Sequence, residues 1–299
     1  MGFSGSGMAE QLPGEVFGIF LHVVVLFVKI RRLWRKKGIL SVHSKPMKRQ
    51  LSQPKPMQTR DIPHDNGPWG NTKFLPKGLV ILHEDNDILV INKPSGLLTM
   101  GTDNEKIRTA FFALTDYVRK GVAKSTKRIY IVHRLDKETS GLLIFAKNEK
   151  AKLVLQSRWE ETEKKYLAIV HGRCEKPQDT ITTYLVENKA HNVYATLDPK
   201  KGRLAQTAYT VLKETKNFSL LELTLLTGRK HQIRVHLAGI GHPVVGDKKY
   251  GRADDTWRYL TLHAWSISFN HPFSGRELMF QTDPPGHFRA LLGGLDWKE

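Results

Sequence analysis

The sequence predicts an α+β fold of mostly antiparallel strands with a few inserted helices. Two observations predict it. Short β-branched runs bounded by turn residues recur from Leu79 to Gln281, and helical spacing occurs in only a few places, without the regular alternation of a βαβ sheet. The chain has 299 residues, 40% hydrophobic and 25% charged, which suits one large domain, or one domain with an appendage. No repeat period is visible.

Folded patterning begins at LVILHEDNDILVINKPSG, where Leu79–Leu82 and Ile88–Ile91 flank Glu-Asp-Asn-Asp and read as a hairpin. A helix is expected over Arg108–Lys120. Strands are then expected at Arg128–Leu135, Gly141–Ala146, Lys165–His171, Ala205–Leu212, Phe218–Leu226, Leu260–Phe269 and Glu277–Gln281. Helices are expected at Glu149–Glu161, His231–Ala238 and near His287–Leu292. Upstream, residues 45–77 are rich in Pro, Gln and Lys and read as a linker or extended arm. Residues 1–44 form a hydrophobic and basic segment, and 78–299 the main domain.

The apolar run from Phe17 is broken by His22 and closed by Lys29, about a dozen residues where a membrane span needs roughly 20. Its acids precede it and its cations follow, the reverse of a signal peptide. A surface anchor, a short packed helix, or residues upstream of the true start are the open readings, and no stable membrane insertion is expected.

Net charge is +18, half of it in residues 1–60, with 11 Lys/Arg against 2 Asp/Glu. Such a balance favours a polyanionic partner, nucleic acid or an anionic surface. The single cysteine, Cys174, excludes an intramolecular disulfide and a thiolate zinc cluster and favours a reducing compartment. His231, His236 and His242 lack zinc-ligand spacing, and His236 reads as a satisfied core histidine. Neither GxxxxGK[ST] nor a strand-linked GxGxxG is present, so no nucleotide cofactor is indicated. A Ser-centred nucleophile elbow is absent too.

The chemistry concentrates in three blocks. In IVHRLDKETSGLLIFAK, charged groups sit between core-like runs, which is costly unless they are paired or used. An extended strand there projects Arg134 and Asp136 to one side and His133 and Leu135 to the other. Asp136 is either a structural ion-pair partner or a nucleophile. In LELTLLTGRKHQIRVHLAGIGHPVVGDKKYG, Arg229 stands at a strand-to-helix junction as a candidate cation for Asp136, and Ile233 and Leu237 face the core. An Arg beside a carboxylate favours its ionised form. In EKKYLAIVHG, Tyr166 is either a half-buried core aromatic or a platform for a base, with Lys164 and Lys165 near for phosphate.

NKPSG, HRLDKETSGLLIFAK, KKYLAIVHG, LLTGRKHQIRVHLAGIGHPVVGDKKYG and LHAWSISFNHP follow one another in the order seen in RluA-type pseudouridine synthases, and over roughly residues 78–290 the chain resembles that family. The resemblance implies a central mixed, mainly antiparallel sheet flanked by helices, with a basic active-site cleft. It implies an isomerase that turns uridine in ribosomal or transfer RNA into its C-glycoside isomer by flipping the base, without cofactor or metal, working as a cytoplasmic monomer. Asp136 matches the family nucleophile, Tyr166 the tyrosine stacked on the uracil, and Arg229 the arginine paired with the aspartate. Arg134 matches the residue that fills the gap left by the flipped base. His133, Lys165, Gln232, Ile233 and Leu262 are the further substrate-binding candidates. The segment after NKPSG and Lys230 depart from the commonest family pattern, and residues 1–77 carry no S4-like pattern. A non-catalytic RNA-binding protein on the same domain is the alternative, and a hydrolase using Asp136 with water a third reading.

Overall fold

The computed structural model describes residues 75–102, 105–120, 122 and 124–293. The segments at 1–44 and 45–74, with the apolar run from Phe17, lie outside the described residues. Among the described residues no helix is long and apolar enough to cross a membrane.

The described residues open with the expected hairpin, β1 (Val80–Glu84) and β2 (Ile88–Lys93). Asp85 Oδ1 accepts the amides of Asp87 and Ile88, each at 2.8 Å, and so closes the turn. Helix α1 (Ala110–Arg119) starts at Thr109, whose hydroxyl caps the Phe112 amide, and buries Ala110, Leu114 and Val118 at four-residue spacing. The chain then runs through β3 (Tyr130–Ile131), β4 (Ser140–Ala146) and α2 (Glu149–Ser157), which Asn148 caps. A 3-10 turn at Trp159–Glu161 leads into β5 (Glu163–His171). Four strands follow: β6 (Gln178–Glu187), β7 (Val193–Thr196), β8 (Arg203–Glu214) and β9 (Phe218–Leu225). Helix α3 (Gln232–Gly239), β10 (Leu262–Asn270), β11 (Glu277–Gln281) and α4 (His287–Leu291) complete the order.

The eleven strands of the described residues form one sheet, in the order β1-β2-β4-β10-β5-β9-β8-β6-β7, with β11 on β10 and β3 on β4. Only β4 and β10 run parallel; the other pairings are antiparallel, so the sheet is mixed and mainly antiparallel as expected. Both faces are covered in the sheet's centre. Leu89, Leu143, Ala168 and Leu221 pack with α1 and α3 on one side, while Ile88, Ile144 and Ala151, and Leu167, Ile169 and Phe288, pack with α2 and α4 on the other. Two-sided burial is why the central strands read as unbroken apolar runs.

Two sequence expectations fail here. Pairing over Arg128–Leu135 is confined to Tyr130–Ile131, because the free edge of β4 is divided. Its C-terminal part pairs β3, its first residues pair β10, and between them the Ile144 amide donates 3.0 Å to His133 Nε2. A side chain replaces the strand, and residues 132–139 loop out. Strands β6 and β7 were not expected, since QDTITTYLVE is polar and half of its residues are exposed; eight residues of β6 nonetheless pair with β8.

Gly141 makes the parallel junction possible. Its φ is +112°, and a Cβ there would stand 2.2 Å from the Ala264 carbonyl oxygen. Beside it Ser140 Oγ meets His263 Nδ1 at 2.8 Å, and His263 Nε2 lies 3.1 Å from the Thr282 carbonyl.

Candidate active site

The loop that leaves β4's edge carries Asp136, and NKPSG clasps it. The ammonium of Lys93, fully buried at the end of β2, donates to the carbonyls of Pro94 (2.9 Å), Leu97 (2.8 Å) and Lys137 (3.2 Å). Gly96 N donates to Lys137 O at 2.8 Å, and Ser95 Oγ to Glu138 O at 2.6 Å. Thr99 Oγ1 takes the Leu135 amide and returns a bond to its carbonyl. The backbone on both sides of Asp136 is thereby tied down. Burial pulls the Lys93 pKa down to about 7, against the opposing pull of Glu138 and Asp136.

Asp136 Oδ2 receives Arg234 Nη1 at 3.2 Å. Arg234 grips Asp247 with its other edge, Nε to Oδ2 and Nη2 to Oδ1, both 2.7 Å. Arg234 and Asp247 are 5% and 2% exposed. Burial alone would lower the guanidinium pKa, but Asp247 and Asp136 together raise it; the same bonds hold the Asp247 carboxyl low despite its burial. Asp247 Oδ1 also accepts the amides of Lys249 and Tyr250. On the other side of the carboxylate, His231 Nε2 stands 3.7 Å from Asp136 Oδ1.

This corrects the expected pairing. Arg229 is exposed and its Nε donates to the Leu204 carbonyl at 3.0 Å, while Arg234, in the first turn of α3, takes Asp136. An arginine inside the apolar spacing of QIRVHL, with one acid in GDKKYG, was the signal: a buried guanidinium requires a buried acid.

A cleft of about 340 Å³ opens above Asp136, in the size range of small-ligand sites. Val132, His133, Arg134, Asp136, Trp159, Lys164, Tyr166, Arg229, Gln232, Ile233, Arg234 and Leu262 are among the residues that line it. Tyr166 is 9% exposed, and burial, helped by the Asp136 charge, raises its phenol pKa, so the hydroxyl stays protonated. Ile233 and Leu262 supply apolar wall, and Arg134 is exposed.

Three candidates are placed differently from expectation. Lys165 does not line the cleft; alternation along β5 sends it to the opposite face, 3.4 Å from Glu222 and 3.7 Å from Glu163, and Lys164 takes the cleft position beside Tyr166. Lys164 Nζ donates to the Trp159 carbonyl at 3.0 Å and lies 5.3 Å from the Trp159 ring centre. His133 shares the cleft with Arg134 and Asp136 instead of facing away, because residues 132–139 are not a strand. Its ring lies 4.5 Å from that of Trp159, and burial, reinforced by Lys164, lowers its pKa to about 3. Gln232 is 2% exposed and makes four hydrogen bonds, to Thr227, Arg229 N, Gln206 O and Thr207. An amide has no further donor or acceptor to offer a substrate, so Gln232 braces the β9–α3 connection. His236 is the satisfied core histidine expected, bonded to Thr183 and Thr207.

The chain resembles known proteins over most of its length. The model of the RNA pseudouridylate synthase family matches residues 87–239. The chain is 34% identical to the ribosomal large subunit pseudouridine synthase C of Buchnera aphidicola subsp. Schizaphis graminum, over 72% of this chain and 70% of that one. It is also 34% identical to the uncharacterized RNA pseudouridine synthase YlyB of Bacillus subtilis, over 88% of this chain and 87% of that one. Among solved structures it is similar to human RNA pseudouridylate synthase domain containing 4, with a TM-score of 0.61 and 26% identity, covering 72% of this chain and 92% of that one. With its motifs gathered around one cleft and that likeness spanning most of its length, the chain belongs to the RNA pseudouridylate synthase family and is an isomerase that converts uridine to pseudouridine in RNA.

Proposed function

We propose that Asp136 is the reacting carboxylate and that the substrate is a uridine of ribosomal RNA. The observation that carries the assignment is Asp136 on a loop clasped from both sides, fastened to Arg234 and opening into the cleft. The reaction breaks C1′–N1, turns the uracil over and joins C5 to C1′. The Asp136 carboxylate either attacks C1′ and is displaced when the carbon–carbon bond forms, or takes the C2′ proton and returns it; the C5 hydrogen then leaves as a proton and N1 gains one, so the product is an isomer of uridine and the carboxylate is regenerated. Arg234 holds the carboxylate at Oδ2 and stabilises its charge. The Tyr166 ring is the platform for the uracil, with Ile233 and Leu262 as apolar walls. Neither bond can be reached inside a stacked helix, so the nucleotide is flipped, and the exposed Arg134 fills the space it leaves. Lys164, Arg229 and Lys230 line a cation-rich cleft suited to the phosphodiester backbone.

In this reading residues 78–299 are the catalytic domain and act as a cytoplasmic monomer. The name of the Buchnera relative points to large-subunit ribosomal RNA as the first substrate to test. The test is a nucleotide-resolution pseudouridine map of unmodified ribosomal and transfer RNA after incubation with the wild type and with Asp136→Asn. Conversion at one or a few uridines by the wild type alone is the expected result; conversion by Asp136→Asn at the wild-type rate overturns the assignment.

A further inference from the structure

His231 is the one non-glycine residue of this site in the left-handed region, with φ 54° and ψ 17° at the N-cap of α3. That backbone is disfavoured for a side chain with a Cβ and persists where surrounding contacts over-determine it. The contacts here are specific. His231 Nδ1 is 2.8 Å from the Tyr250 hydroxyl, and that hydroxyl accepts the Val193 amide at 3.2 Å. The Val193 amide occupies one lone pair of that oxygen, and the phenolic hydrogen can be donated to Nδ1. In a neutral imidazole an accepting Nδ1 places the ring hydrogen on Nε2. Nε2 is the atom 3.7 Å from Asp136 Oδ1. A bare lone pair there would face the carboxylate and repel it, so the carboxylate end selects the Nε2-protonated tautomer, and the Tyr250 hydroxyl is placed to donate to the other nitrogen.

The same acid that aims Arg234 also places the phenol, because Asp247 Oδ1 accepts the Tyr250 amide at 3.0 Å. The Tyr250 ring stands edge-on to His231, 5.5 Å between centroids, with Arg234 Cζ 5.2 Å from its centre. Burial lowers the His231 pKa; Asp136 opposes this, and Arg234, Lys249 and Lys230 add to it.

We infer that His231, held by Tyr250 in its Nε2-protonated tautomer, is a positioning residue that orients Oδ1 of Asp136 as the reacting oxygen. Arg234 binds Oδ2 directly, whereas the His231 N–H at 3.7 Å steers Oδ1 without tying it up in a full hydrogen bond. The inference rests on Asp136 being the reacting carboxylate.

Long-range proton–nitrogen NMR of the 15N-labelled full chain near pH 7.5, with His231 assigned by its loss in His231→Gln, reads the tautomer directly. The wild type is expected to carry the hydrogen on Nε2, and Tyr250→Phe to show a mixture. In single-turnover conversion of unmodified ribosomal RNA, Tyr250→Phe is expected to be about tenfold slower with RNA affinity unchanged. The double variant Tyr250→Phe/His231→Gln is expected to be no slower than His231→Gln alone. An Nδ1-protonated ring in the wild type overturns the inference, even if Tyr250→Phe fails to fold. So do a wild-type rate in Tyr250→Phe and additive losses in the double variant. Asp136→Asn run alongside separates the two readings: its inactivity with an unaffected Tyr250→Phe leaves the nucleophile standing and removes only the role of His231.

Discussion

Arg234 Nη1 lies 3.2 Å from Asp136 Oδ2, and the opposite edge of the same guanidinium is bidentate on Asp247 at 2.7 Å. The ion pair that serves the site is therefore anchored by a second, fully buried acid. Arg234→Met strands Asp247 as an uncompensated charge and is expected to cost about 3–5 kcal/mol in urea unfolding. Adding Asp247→Asn should recover part of that loss. Arg234→Lys, which cannot span both acids, should lower the single-turnover rate by roughly 100-fold through misplacement of Asp136. Arg229→Met, by contrast, should change stability by no more than about 0.5 kcal/mol.

Lys93 gives a pH-dependent test. Its pKa is about 7 in the folded protein against an ordinary value of 10.5, so between those values the unfolded chain binds more protons and this group's contribution to stability rises with pH. The stability difference between wild type and Lys93→Met, from denaturant melts at pH 7 to 10, is expected to grow in favour of the wild type. A flat difference would mean that the ammonium stays charged on its three carbonyls.

Acid should destabilise the fold through buried histidines. His133 is lowered to about 3, and His236 and His263 to about 4, in each case first by burial. From pH 6.5 down to 4 the unfolded chain takes up protons that the folded chain refuses, so stability falls with pH by up to about 1.4 kcal/mol per unit for each ring. Urea midpoints at pH 7 and 5 for the wild type and His236→Gln measure the share of one of them.

The parallel junction rests on Gly141. Gly141→Ala would drive a Cβ to 2.2 Å from the Ala264 carbonyl oxygen at φ +112° and is expected to cost at least about 3 kcal/mol, with activity lost as the Asp136 loop shifts. Thermal denaturation compared with Gly228→Ala, where an added Cβ meets nothing within 4 Å, isolates the clash from a general cost.

The two lysines of KKY should separate cleanly. Lys164→Gln should weaken RNA binding and reduce the salt slope by about one phosphate contact. Lys165→Gln should leave affinity unchanged and stability within about 0.5 kcal/mol, since its partners are two partly exposed acids on the other face. Titrations of ribosomal RNA at several salt concentrations read both.

Much of the fold was legible because the central strands are buried on both faces and written in apolar runs: β2, β4, β5, β9 and β10 all fall where such runs predict them. Strands β6 and β7 were not legible, because β6, rich in Gln, Asp and Thr, gains its order from pairing with β8, and β7 from pairing with β6, which local composition does not encode. In the site, Asp136 and Tyr166 were legible from their motifs. The choice between Arg229 and Arg234 was not, since both stand in one short stretch and only the helix phase and the position of Asp247 separate them.

By itself, then, the sequence determined the mainly antiparallel α+β class, the family, the candidate carboxylate and the polyanionic character of the partner, because these follow from local pattern, composition and motif. Only the tertiary structure decided which arginine meets Asp136, which lysine of the KKY pair faces the cleft, and that NKPSG clasps the Asp136 loop. Those outcomes depend on the division of β4's edge between β3 and β10 and on contacts between residues as far apart as Asp136 and Arg234. Such contacts exist only once the sheet is assembled.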